Sequence, residues 1–364
     1  MQNKNLIFEL ESQFNIFLES VPKSNQVPRS YSNNNGIIMA SSDYWTCGFT
    51  PGSMWYMYEL TGKEKWKNAA TFNTKKFEDV KNQTHTHDLG FKIFCSYGNA
   101  YRITGIDDYK NVIIDASETL IKRFNPNVGC IRSWDWGDWE YPVIVDNLMN
   151  LEMLFWASKI TENPKYKEIA ISHANKTMEN HYRENYSCYH VVSYDVKTGK
   201  PIVKETYQGL SNESVWARGQ AWGLYGYIVC YRETKNTVYL DFALNIAEYL
   251  IDKSPEDMIP FWDYDVADNP DEPRDASSAA IIASALYELS DHTSNDKFVN
   301  SADKILESLN STKYCSKVGA NGGFLLLHST GNKPKGTEVN SSINYADYYY
   351  LEALKRQNKV KSNV

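Results

Sequence analysis

One turn recurs five times along the chain. Met57-Tyr58-Glu59-Leu60-Thr61-Gly62 leads into Lys65-Trp66, and Ala100-Tyr101-Arg102-Ile103-Thr104-Gly105 leads into Asp108-Tyr109. Ala157–Glu162 leads into Lys165-Tyr166, Tyr231–Lys235 into Val238-Tyr239, and Leu286–Ser290 into Lys297-Phe298. Each copy ends an apolar run at Thr or Ser, crosses a short turn and starts a new run near an aromatic residue. This is the pattern of αα-hairpins stacked as repeats. The run before each turn is apolar and small all round, as in Trp216–Tyr231 and Ala276–Leu289, which means burial on both sides. The run after it is amphipathic, as in Tyr109–Arg123 and Tyr166–Asn180, which means an outer layer. A sixth inner helix, about Asp347–Arg356, ends the chain, and an amphipathic helix, about Leu6–Leu18, supplies a sixth outer one. Six inner and six outer helices make an all-α (α/α)6 toroid, expected as one domain over residues 1–364. An open α-solenoid is the alternative, but it has no reason to set its first helix beside its last.

In such a toroid the inner helices run in one direction, so their N-termini share one mouth. The long connections all lead into inner helices: Asn127–Val145, Glu184–Glu213, Pro255–Asp275 and Lys313–Tyr345. Some read as β-hairpins, as at Tyr189–Asp195. Long loops gathered on one face of a rigid scaffold are where function is expected.

Aromatic residues make up 14% of the chain, with 10 Trp and 26 Tyr. That exceeds what core filling needs and suits a surface that stacks on sugar rings. The net charge of −7 and the lack of any Lys/Arg block argue against nucleic acid. No run of 18 apolar residues is present, so no membrane partner is expected. Met1–Lys4 lacks the charged start and apolar stretch of a secretory leader, which points to the cytoplasm, or the periplasm if a leader has been removed. The six cysteines, Cys47, Cys95, Cys130, Cys188, Cys230 and Cys315, are scattered and read as free thiols.

Asp88 and Asp146 each open an inner helix at the mouth. Asp is a favoured N-cap, worth about 1 kcal/mol, so each has a bland reading. Together, among aromatics, they suit acid/base work on a glycoside, with burial or a neighbouring charge holding a proton on one of them. Arg218, early in its helix, is wrongly placed for the helix dipole. A bound carboxylate or an internal salt bridge would explain it, and Trp222 shares its face. Gly219, Gly223 and Gly226 cost about 1 kcal/mol each inside a helix and mark close approach of a backbone or a ligand. Trp134, Trp136 and Trp139 precede Asp146, and Trp45 precedes the first inner helix. Each is a sugar platform or a hydrophobic plug. His190 sits in the hairpin before the fourth inner helix, as a hydrogen-bonding group or a plain buried residue. His85 and His87 lack the further His or Cys ligands of a zinc site, so no metal or other cofactor is expected.

The chain resembles the unsaturated glucuronyl hydrolases of glycoside hydrolase family 88 over most of its length. The likeness lies in Trp45-Thr-Cys-Gly-Phe-Thr-Pro-Gly52, His87-Asp-Leu-Gly-Phe91, Val145-Asp-Asn-Leu-Met-Asn150, Trp216-Ala-Arg-Gly-Gln-Ala-Trp222, Asp275-Ala-Ser-Ser-Ala-Ala280 and Tyr345–Leu354. These motifs are specific jointly; singly, only the one at Trp216 is. The family has the toroid inferred from the turns. The resemblance implies a substrate left by polysaccharide lyases, with a C4=C5 unsaturated uronic acid at its non-reducing end. It also implies hydration of that double bond in place of displacement at the anomeric carbon. Asp146 would protonate C4 and activate the water that adds at C5. Asp88 would hold sugar hydroxyls and influence Asp146. His190, Gln208, Trp216, Arg218 and Trp222 would line the uronate subsite, with Trp45, His87 and Trp134 beside it. Ser329 and Lys333 lie where family members differ in handling the next sugar, sulfated or not. The alternatives are an unsaturated rhamnogalacturonyl hydrolase acting on pectin fragments, a catalytically silent sugar-binding toroid and a helical-repeat scaffold. The sequence assigns neither an oligomeric state nor the parent polysaccharide.

Overall fold

The computed structural model describes residues 2–266, 269–293 and 295–362. Met1, Ala267, Asp268, Ser294, Asn363 and Val364 lie outside the described residues, two of them in the loop Pro255–Asp275. The described residues hold helices α1 (Gln2–Ser20), α2 (Phe49–Thr61), α3 (Glu64–Lys75), α4 (Asn99–Thr104), α5 (Asp107–Ile121) and α6 (Leu151–Thr161). They continue with α7 (Pro164–His181), α8 (Ala217–Thr234), α9 (Thr237–Lys253), α10 (Ala276–Ser290), α11 (Asp296–Leu309) and α12 (Asn344–Ser362). The chain divides into two compact units, residues 1–77 with 254–364, and residues 78–253.

The repeated Thr explains the repeated turn. Thr61, Thr104, Thr161 and Thr234 each donate from Oγ1 to the carbonyl four residues back, at 2.6–2.7 Å. Each Oγ1 then accepts from the backbone N–H two residues on, at 3.2–3.3 Å. One hydroxyl thus adds a second hydrogen bond to a carbonyl of the last helical turn and closes the turn into the next helix. Gly62, Gly105, Glu162 and Lys235 follow these threonines in the left-handed conformation, with φ of 57–68°. Glycine takes that conformation freely, whereas Glu162 and Lys235 hold it at a cost of about 1 kcal/mol each. The fifth turn differs: Ser290 bonds back to Tyr287 O and the helix ends at Asp291 without a left-handed residue.

The alternation of buried and amphipathic helices is as expected. Every residue from Ala217 to Cys230 in α8, and from Ala276 to Leu289 in α10, is buried. In α11 only Phe298, Ala302, Ile305, Leu306 and Leu309 are, which is one stripe. In the first unit α12 packs against both α10 and α2. The last helix therefore lies beside the first inner one, which an open solenoid does not allow.

Two inner helices in the second unit depart from plain α geometry. Gly90–Gly98 is a π-helix that continues as α4, and Val145–Asn150 is a 3-10 helix that continues as α6. Such irregular turns are common at functional sites. The hairpin reading also holds in part. Val191–Tyr194 pairs with Pro201–Glu205 on one side and with Pro142–Ile144 on the other, which makes a three-stranded antiparallel sheet. None of the six cysteines is in a disulfide, and four of them are buried.

Candidate active site

The sheet register sets the centre of the site. Ile144 lies opposite Val191, and one step further Val145 N–H donates to His190 O at 3.1 Å. The chain then coils into the 3-10 turn, which leaves the Asp146 side chain facing His190. Asp146 Oδ2 and His190 Nε2 are 3.7 Å apart. On its far side, His190 Nδ1 accepts from the backbone N–H of Tyr207 at 3.1 Å and of Gln208 at 3.3 Å. An Nδ1 that accepts leaves the imidazole proton on Nε2, aimed at Asp146. Burial, reinforced by the charge of Arg218, holds His190 well below its usual pKa, so the ring is neutral.

Asp146 is buried, and burial pushes its carboxyl up to about 7. The charge of Arg218, the Asp146 backbone N–H and the Trp222 indole pull the other way, while the charge of Asp88 adds to the rise. The carboxyl therefore holds a proton over part of the neutral range, which a carboxylate at a helix start ordinarily does not.

Neither aspartate is a side-chain cap. No capping hydrogen bond is made at the start of the π-helix or of the 3-10 helix. Asp88 instead accepts from Thr86 Oγ1 at 2.6 Å and lies 3.2 Å from His87 Nε2, with its side chain 20% exposed. His87 is buried, and that burial lowers its pKa despite the neighbouring Asp88. The two helix starts are tied by a residue that sequence reasoning passed over. Asn150 Oδ1 accepts from Gly90 N–H at 2.8 Å, and Asn150 Nδ2 donates to Asn147 Oδ1 at 3.1 Å. Asn147 in turn donates to Ile131 O at 2.8 Å. The only sequence signal was two amides spaced three apart inside an apolar run after Asp146.

Arg218 is buried in the first turn of α8, its guanidinium 4.6 Å from the Trp216 ring centre. The His190 ring centre lies 4.4 Å from that of Trp216. Trp222, also buried, packs on Phe91 at 5.1 Å. The α8 glycines answer the question the sequence left open, because the close approach is by backbone and side chains. A Cβ on Gly219 would sit 2.8 Å from Trp216 Cε3, one on Gly223 1.9 Å from Tyr182 Oη, and one on Gly226 2.5 Å from Leu148 Cβ. The helix is thus seated directly on the segment that carries Asp146. Gly226→Ala is expected to lose about 1–3 kcal/mol through overpacking, read as a lower Tm. A Tm equal to that of the parent would show that Leu148 yields freely.

Gln208 is half-buried and contributes its backbone N–H to His190. Trp134 is only 8% exposed and stacks flat on Trp136 at 4.5 Å, with Trp139 and Tyr207 around it. Trp134 is therefore packed as a plug between its neighbours, and the ring with open surface is Trp136. His85 is exposed while His87 is buried. No group of three His, Cys, Asp or Glu side chains among the described residues is disposed to hold a metal.

The remaining candidates belong to the first unit. Trp45 is half-buried against Tyr345 at 5.1 Å and Phe49 at 5.9 Å. Ser329 is fully buried, its backbone paired to Ser341 in both directions, so its side chain is no surface contact. Lys333 is partly exposed and ion-paired to Glu272 at 3.2 Å. Two buried carboxylates there were not anticipated as such. Asp275 caps α10 through Ser277 N–H at 3.1 Å, and Asp347 accepts from Leu325 and Leu326 N–H at 2.9 Å. Both clamp the loop Lys313–Tyr345 onto inner helices.

Comparison with known proteins bears on this arrangement. A family model described as Glycosyl Hydrolase Family 88 matches residues 21–361. An unsaturated glucuronyl hydrolase of Formosa agariphila is 44% identical over 96% of this chain and 88% of its own length. The crystal structure of an unsaturated glucuronyl hydrolase specific for heparin superposes with a TM-score of 0.96, at 44% identity, covering 99% of this chain and 98% of that one. A substituted unsaturated glucuronyl hydrolase of Streptococcus agalactiae, complexed with dGlcA-GalNAc6S, superposes with a TM-score of 0.84 at 30% identity, covering 97% and 90%. The all-α class expected from the turns holds, and the chain has the fold of these solved structures. No helix among the described residues is long and apolar enough to cross a membrane.

Proposed function

The chain belongs to glycosyl hydrolase family 88, and from that membership we propose that it releases a C4=C5 unsaturated uronic acid from the non-reducing end of glycosaminoglycan-type oligosaccharides. The observation that carries the reading is the buried Asp146 carboxyl, held at about 7 between neutral His190 and cationic Arg218. Hydration of a vinyl ether needs one group that gives a proton to C4 and then takes one from the water adding at C5. A carboxyl balanced between its two forms near neutral pH can do both. Displacement at the anomeric carbon would need a second carboxyl in a distinct role.

In this mechanism Asp146 starts protonated. The substrate carboxylate pairs with Arg218, early in α8. That pairing also withdraws Arg218's field from Asp146 and raises its pKa further, so binding loads the acid. As C4 takes the proton, positive charge develops at C5, and the new Asp146 carboxylate draws a proton from the attacking water. His190 Nε2–H steadies that carboxylate. The hemiketal opens, and the glycosidic bond then breaks without attack on it. Asp88, partly exposed beside Asp146, accepts from sugar hydroxyls.

Loss of the ultraviolet absorbance of the conjugated double bond, followed beside release of the second sugar, tests this. Hydration predicts that absorbance falls in step with release or ahead of it. A lag of absorbance behind release would assign displacement instead. Binding with no absorbance change would make the protein a silent sugar binder. Turnover confined to unsaturated rhamnogalacturonan disaccharides would move the substrate class to pectin.

A further inference from the structure

The loop Trp134–Trp139 hangs between the two segments that lead to the carboxylates. Trp134 forms a β-bridge with Thr86, and Ser133 O accepts from His87 N–H at 3.0 Å, just before Asp88. Ser133 Oγ accepts from Ile144 N–H at 2.9 Å, just before Asp146. The loop base is anchored by Asp135, whose carboxylate meets Arg123 at 2.8 Å. Gly137, at φ 84°, folds the loop so tightly that a Cβ there would lie 2.6 Å from the Trp139 ring. Trp139 is pinned by its indole N–H to Glu205 at 2.8 Å. Tyr207 packs on the cluster, 5.0 Å from Trp136 and 6.3 Å from Trp139.

In this rigid cluster Trp136 alone is strongly exposed, at 48%. One of its faces lies on Trp134 at 4.5 Å and 12°, so the other is turned outward. An exposed, immobilised indole is costly to keep in water and suited to stacking on the apolar face of a pyranose. Asp146, Arg218 and His190, by contrast, are buried. The exposed Trp136 face is therefore suited to a ring other than the one that reacts among those buried groups. Its neighbour Tyr207 also supplies a backbone N–H to His190 Nδ1. Platform and proton-handling groups are thus joined through one residue.

We propose that the open face of Trp136, set by Trp139 and Tyr207, is a stacking subsite for a pyranose on the reducing-end side of the bond that breaks. This rests on the function proposed above. It makes the enzyme prefer substrates with a second ring over simple alkyl glycosides of the same unsaturated uronate.

The test compares Trp136→Ala with the parent on an unsaturated disaccharide and on the methyl glycoside of the unsaturated uronate. A stacking contact is worth about 0.5–1.5 kcal/mol, so the disaccharide-to-methyl selectivity in kcat/KM should fall roughly 2- to 12-fold, mainly through KM. Trp136→Phe should keep most of that selectivity. Equal losses on both substrates, or no loss on either, would overturn the subsite. Absence of turnover by the parent protein on both substrates would instead sink the proposed function.

Discussion

Asp146→Asn should reduce turnover of an unsaturated disaccharide at least ~10³-fold while leaving binding intact. An amide cannot supply the C4 proton or receive one from water, yet it preserves the shape and the nearby donors. The same substitution should stabilise the fold, because the native site holds this carboxyl's pKa at about 7, against 3.8 for an ordinary one. The folded state thus binds more protons than the unfolded state between those values. Stability is lost as pH rises from about 4 to about 7 and stays low above. Asparagine carries no such penalty, so the variant's advantage should be small near pH 4 and on the order of 4 kcal/mol at pH 8. Thermal melts at both pH values read it directly. In the parent, kcat/KM should fall as pH rises through about 7, and the limb in kcat should lie higher because the bound carboxylate engages Arg218. Substantial residual turnover in Asp146→Asn would remove Asp146 from the proton path.

Asp88→Asn should lose about 10- to 100-fold in kcat/KM, the worth of one charged hydrogen bond to the substrate. It should also move the alkaline limb to lower pH. The negative charge of Asp88 is one of the causes that raise Asp146, so removing it makes Asp146 a stronger acid. A merely structural Asp88, bracing Thr86 and His87, would lower the Tm yet leave kcat/KM of the folded variant near that of the parent. The loss of kcat/KM measured well below the variant's Tm is therefore the deciding measurement.

Much of the fold was legible in the chain, for a local reason. Thr61, Thr104, Thr161 and Thr234 each satisfy bonds within six residues of themselves, so the turn is written wherever the Thr is. Asp88 and Asp146 could be singled out, but whether they cap or react could not. Capping is a local bond, and its absence shows only once Thr86 has claimed Asp88 and the sheet has turned Asp146 toward His190. Trp134 and Trp136 looked alike on the same loop. Stacking between them decided which keeps a free face.

The sequence by itself determined the helical hairpins and their inner and outer faces, and it marked the candidates for the chemistry. These follow from bonds and periodicities that span a few residues. The tertiary structure alone decided the charge state of Asp146, the tautomer of His190 and the seating of α8 on Val145 and Leu148. Each of these depends on burial and on partners up to about 80 residues away, such as Arg218 for Asp146 and Leu148 for Gly226. A pKa is set by the field and the solvent around a group, and neither exists until the segments have packed.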